Sequence, residues 1–98
     1  MYRGTTPTLL FTMPFNSTGI TVLYVTFQQE GKNVLEKTLD DVEWEGNEIK
    51  IKLTQEDTLK LGEGDVMIQI RLKFEDDTAM ASDIIYTFAQ EILKGGEI

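Results

Sequence analysis

Residues 47–53 and 65–74 alternate between apolar and polar side chains. Ile49, Ile51 and Leu53 oppose Glu48, Lys50 and Lys52, and Val66, Ile68, Ile70, Leu72 and Phe74 oppose Met67, Gln69, Arg71 and Lys73. Successive side chains of an extended backbone point to opposite faces, so period two over this length means strands with one dry and one wet face. Residues 8–13 repeat the pattern with Leu9, Phe11 and Met13, except that Leu10 is apolar on the outer side.

Turn signals cut the chain at short intervals: NSTG (16–19), EGKN (30–33), EGN (45–47), GEGD (62–65) and EDDT (75–78). Regular short apolar runs between such signals predict an all-β sandwich or barrel. QQEGKNV leaves two or three residues to reverse direction, so 20–28 and 33–39 are expected to form a hairpin. WEGNEI does the same for a strand around Val42–Trp44 and the strand 48–53, and FEDDTAM joins 65–74 to a final strand beginning near Ala79.

TQEDTLKLGEG is too long for a hairpin. Thr54 and Asp57 have the spacing of a helix capping box, with Asp in place of Glu. One short helical turn is therefore expected near residues 55–60, with Leu59 and Leu61 directed at the core. That turn carries the chain from one sheet to the other. The fold expected is all-β: a two-layer antiparallel β-sandwich of about seven strands, immunoglobulin-like in shape. The tight turn at 29–32 argues against strict immunoglobulin connectivity, which places the second and third strands in different sheets. Residues 1–98 read as one domain, with residues 1–6 a flexible N-terminal arm and 94–98 a flexible tail.

Two segments have apolar residues on both faces. In 20–28, Leu23, Val25 and Phe27 oppose Ile20, Val22 and Tyr24; in 83–93, Ile84, Tyr86 and Phe88 oppose Ile85, Thr87 and Ala89. Either loops cover the outer face or a partner chain does.

The chain has no histidine and no cysteine, and its net charge is −8 from 17 acidic and 9 basic residues. Disulfides, thiolate metal sites and the commonest general base are therefore excluded. The negative charge disfavours nucleic acid and anionic membranes as partners. No apolar run is long enough to span a bilayer, and MYRGTTPTLLF lacks the charged and apolar blocks of a signal peptide, so cytoplasmic synthesis is expected.

Ser17 and Ser82 are the only serines and have no histidine to serve them. Asp40/Asp41, Glu56/Asp57 and Asp76/Asp77 fall at turns, where carboxylates are solvated or hydrogen-bond locally. EDDT and DDVE offer oxygens, but neither has the spacing of a calcium loop. No catalytic residue, metal ligand or cofactor site is expected, and the chain reads as non-enzymatic. The remaining candidates are aromatic: Tyr2, Tyr24, Trp44 and Tyr86, the residue types enriched at protein contacts.

MYRGTTPTLLFTMPF, VTFQQEGKNVLEKTLDD, LTQEDTLKL, IQIRLKFEDDTAMASDII and EILKGG resemble a family of small proteins encoded in phages and prophages of Firmicutes, and the likeness spans nearly the whole chain. The resemblance implies a virion-associated structural or assembly protein that contacts itself or other virion components, including as a homo-oligomer; it implies no activity and no residue role. Two other classes stay open: an acidic mimic of nucleic acid that inhibits a host protein, and a small ligand- or glycan-binding module with Trp44 as the stacking residue.

Overall fold

The structure, a computed structural model, describes residues 1–98. Eight strands form in chain order: β1 (Thr8–Thr12), β2 (Ile20–Gln29), β3 (Lys32–Thr38), β4 (Val42–Glu45), β5 (Glu48–Lys52), β6 (Gly64–Phe74), β7 (Ala79–Ala81) and β8 (Ile85–Ala89). A 3-10 turn at Leu39–Asp41 precedes β4, and a one-turn helix, α1 (Gln55–Leu59), follows β5. The smaller sheet has the order β1-β5-β4, and the larger one β3-β2-β6-β7, with β8 also paired to β6. All strand pairs are antiparallel.

The two sheets close on a single cluster of 16 buried apolar residues. Ile49, Ile51 and Leu53 from the smaller sheet are fully buried, as are Val25, Phe27, Val66 and Ile70 from the larger. The alternation over 47–53 and 65–74 thus marks the two inner faces of an all-β sandwich. As the tight turn implies, β2 and β3 pair within one sheet, unlike the second and third strands of an immunoglobulin domain.

Turn chemistry explains the hairpins. Gln29 pairs with Lys32, leaving Glu30 and Gly31 as a two-residue loop with φ of 52° and 77°. Positive φ at both loop positions is what a type I′ turn requires, and the glycine adopts it without a Cβ penalty.

The crossover from the smaller to the larger sheet is α1. Thr54 Oγ1 accepts from the Asp57 backbone N–H at 3.1 Å, and Asp57 Oδ2 accepts from the Thr54 N–H at 2.9 Å. Both halves of the expected capping box are present. Removing the hydroxyl in Thr54→Ala is expected to cost about 1 kcal/mol, or roughly 5 °C in melting temperature for a domain of this size. An unchanged thermal melt would mean that the cap is not stabilising. Leu61 is fully buried, whereas Leu59 is half-buried and packs beside Gly4.

Two features of the strands depart from the expectations. Ile20 is 7% exposed and joins the core, although simple alternation sets it opposite Leu23. A register shift between Ile20 and Val22 changes the phase, so two residues three apart face the same way. The final run is two strands, which raises the count to eight. Ser82 interrupts it: its N–H donates to the Ile70 carbonyl, and its Oγ accepts from the Ile70 N–H at 3.0 Å. β7 and β8 therefore share one side of β6, against its C-terminal and N-terminal halves.

Residues 1–3 of the expected flexible arm lie along β8 and the residues after it. The Arg3 N–H donates to the Gln90 carbonyl at 2.9 Å and the Gln90 N–H to the Met1 carbonyl at 2.8 Å. The Arg3 guanidinium donates to the carbonyls of Leu59 and Leu61 and pairs with Glu91. A cation there complements the carbonyl end of α1. In the tail, the Gln55 side chain exchanges two hydrogen bonds with the backbone of Ile98.

Candidate functional site

The four candidate aromatics are all exposed, Tyr2 by 54%, Tyr24 by 43%, Trp44 by 43% and Tyr86 by 72%. The structure does not bring them together. Tyr2 sits on the arm beside Gln90. Trp44 belongs to β4, the edge strand of the smaller sheet, where it pairs with Ile49. Its position faces the sandwich interior, but at the open edge part of the indole stays in water. Together with Glu43, Glu45, Glu48 and Lys50 it lines a hollow of about 110 Å³. Enclosing ligand sites run to roughly 300 Å³ and more, so this hollow is too small to surround a sugar.

Tyr24 and Tyr86 share the outer face of the larger sheet. Tyr24 pairs with Arg71, and Tyr86 with Met67. They flank β6 from opposite sides, four residues apart along it, which is roughly 13 Å.

That face has more apolar surface than the four candidates indicate. Phe88 pairs with Asp65 and also points outward, 47% exposed. Ile84, 45% exposed, lines a shallow depression with Thr26, Gln28, Met67 and Gln69. In the sequence, Ile84 and Phe88 stand only as one side of an ambiguous run. The buried partners Ala89 and half-buried Ile85 and Thr87 resolve that ambiguity by taking the inner face. Beyond the depression, Val22, Tyr24, Arg71, Lys73 and Ala79 frame a second hollow, of about 200 Å³. The outer positions of β6 read Asp65, Met67, Gln69, Arg71, Lys73, so this strand is negative at one end and positive at the other, where Lys73 Nζ also lies 3.5 Å from Asp77 Oδ1.

Away from this face, the polar groups singled out by sequence have structural partners. Ser17 Oγ donates to the Gly46 carbonyl at 2.6 Å, which fixes the β4–β5 turn to the β1–β2 loop. Ser82 Oγ donates to the Asp83 carbonyl. Asp41 accepts from the Thr38 N–H at 2.8 Å. This is a second Thr-x-x-Asp contact that the spacing of Thr54 and Asp57 could have disclosed. Asp76 accepts from the Thr78 N–H, which holds its carboxyl below the usual range. Glu91 is lowered likewise by the Ile92 N–H and by Arg3.

The Asp57 carboxylate is the deeply placed ion. It is 6% exposed and meets Lys37 Nζ at 2.7 Å. Burial pushes its pKa up, but the Lys37 ammonium and the hydrogen bonds from Thr54 outweigh burial and hold it below the ordinary value. The pair ties β3 of the larger sheet to the crossover turn. No group of His, Cys, Asp and Glu side chains forms a cluster that could hold a metal ion, and no helix is long and apolar enough to cross a membrane.

No protein-family model matches the chain, and no curated protein or solved structure is significantly similar to it.

Proposed function

We propose that this protein is a non-enzymatic structural or assembly component of a phage or prophage particle, working through protein contacts. The observation that carries the contact reading is the outer face of the larger sheet, where Tyr24, Ile84, Tyr86 and Phe88 are all more than 40% exposed on a rigid scaffold. Apolar residues gathered on one face mark an interaction surface, whereas scattered ones do not. Aromatic side chains supply large contact area at low entropic cost. The phage setting rests on the sequence resemblance, and in that setting the chain is made in the cytoplasm and carried in the particle.

Mass spectrometry of purified particles from a producing strain tests the assignment. The chain is expected at a fixed, stoichiometric copy number alongside the particle's structural proteins. Its presence only in the unassembled fraction would overturn the assembly role.

A further inference from the structure

We infer that the outer face of the larger sheet is self-complementary, and that two copies of this chain pair through it about a two-fold axis passing over Gln69. This deepens the contact reading above and rests on it. In a face-to-face pair with the axis perpendicular to the strands, each position along β6 meets the position equally far on the other side of Gln69. Asp65 of one copy then meets Lys73 of the other, and Met67 meets the aliphatic stem of Arg71. Neither end of β6 faces its own sign, while exposed Glu36, level with Gln69 through Thr26, meets its own copy.

The same operation matches large side chains to small ones. Tyr86 and Phe88 stand on β8 beside Met67 and Asp65, while Ala81 and Ala79 stand on β7 beside Arg71 and Lys73. The axis carries Tyr86 onto Ala81 and Phe88 onto Ala79. Ala79 borders the hollow of about 200 Å³, so the Phe88 ring of the second copy enters that recess. Exposed Ile84 lies beside Gln69, near the axis, and meets its own copy. Splitting the last strand at Ser82 therefore separates a bulky half from a small half, as a symmetric contact needs. A partner of unrelated shape would have no need of a charge order and a size order that invert about the same residue.

Four strands about 4.8 Å apart and ten residues long present roughly 650 Å² of face per copy. The pair thus buries on the order of 1,300 Å², near the lower limit for a specific interface, and a micromolar, concentration-dependent dimer is expected.

Sedimentation equilibrium of the full chain, up to about 1 mM, tests this. The apparent mass should rise with concentration from 11.1 kDa toward twice that value. Asp65→Lys and Lys73→Asp should each raise the dimer dissociation constant about tenfold, and the double variant should return it to within about threefold of wild type. Tyr86→Glu should also weaken the dimer by about tenfold or more while leaving the thermal melt unchanged, because Tyr86 is 72% exposed. A chain that stays monomeric to the highest concentration overturns the inference. So does a dimer indifferent to Tyr86→Glu, or a double charge swap that does not recover. A monomer still incorporated into particles would sink only the self-pairing, and a dimer absent from particles only the assembly role.

Discussion

Asp57→Ala is expected to lower stability by about 3 kcal/mol, or roughly 15 °C in melting temperature. Two losses combine. The carboxylate closes the capping box by accepting from Thr54 N–H, and it neutralises Lys37, whose side chain is only 16% exposed. Loss of the cap alone costs about 1 kcal/mol. The larger part comes from leaving an ammonium poorly solvated with no counter-charge. Lys37→Met should cost less, because Asp57 keeps its Thr54 hydrogen bonds. The double variant Lys37→Met/Asp57→Ala should be more stable than Asp57→Ala alone, since no orphaned charge is left. Chemical denaturation of the four proteins gives the coupling directly. Equal losses in Asp57→Ala and in the double variant would mean that Lys37 finds full solvation without its partner.

The same pair sets an acid limit. The folded-state pKa of Asp57 lies below its unfolded value. The unfolded chain therefore takes up this proton first as pH falls. Asp57's contribution is fully present above about pH 4, the ordinary aspartate range, and is lost as pH drops through the folded pKa. Stability of wild type should fall more steeply below pH 4 than that of Asp57→Asn. Parallel curves would show that other carboxylates govern acid unfolding.

Phe27→Ala is expected to cost about 4 kcal/mol, a large part of the roughly 5–15 kcal/mol available to a domain of this size. Phe27 is fully buried in β2, paired with Leu35 on one side and Ile68 on the other. Truncation removes the ring's burial and leaves a cavity between the sheets that the paired backbones cannot close. Phe27→Leu fills most of that space and should cost about 1.5 kcal/mol. Tyr86→Ala, on the outer face of the same sheet, should change stability by less than about 0.5 kcal/mol. Comparable melts for Phe27→Ala and Tyr86→Ala would contradict the assignment of inner and outer faces.

Much of this architecture was legible in the letters. Alternation over 47–53 and 65–74 identified the inner faces, and EGKN and EGN fixed two hairpins. Thr54 with Asp57 placed the crossover turn. Each of these signals acts within a few residues, where backbone geometry and side-chain chemistry are set by near neighbours. Lys37 carries one further local signal. Lys37 lies two residues from Leu35 on β3, so it shares the inner side and needs a buried counter-charge.

The candidate surface was less legible. Tyr24 and Tyr86 stood out as exposed-type aromatics, but Ile84 and Phe88 could have faced either way. Only pairing with β6 showed that Ala89, Ile85 and Thr87 turn inward.

By itself, then, the sequence determined the β class, the two one-sided layers, the tight turns and the short helical link, because period-two patterning and turn preferences are local properties of the chain. Tertiary structure decided the phase shift at Ile20, the division of the last strand at Ser82, the pairing of residues 1–3 with 88–90, and which aromatics share a face. Those depend on contacts between segments dozens of residues apart, whose geometry is settled by how two sheets pack and by which backbone groups find partners there.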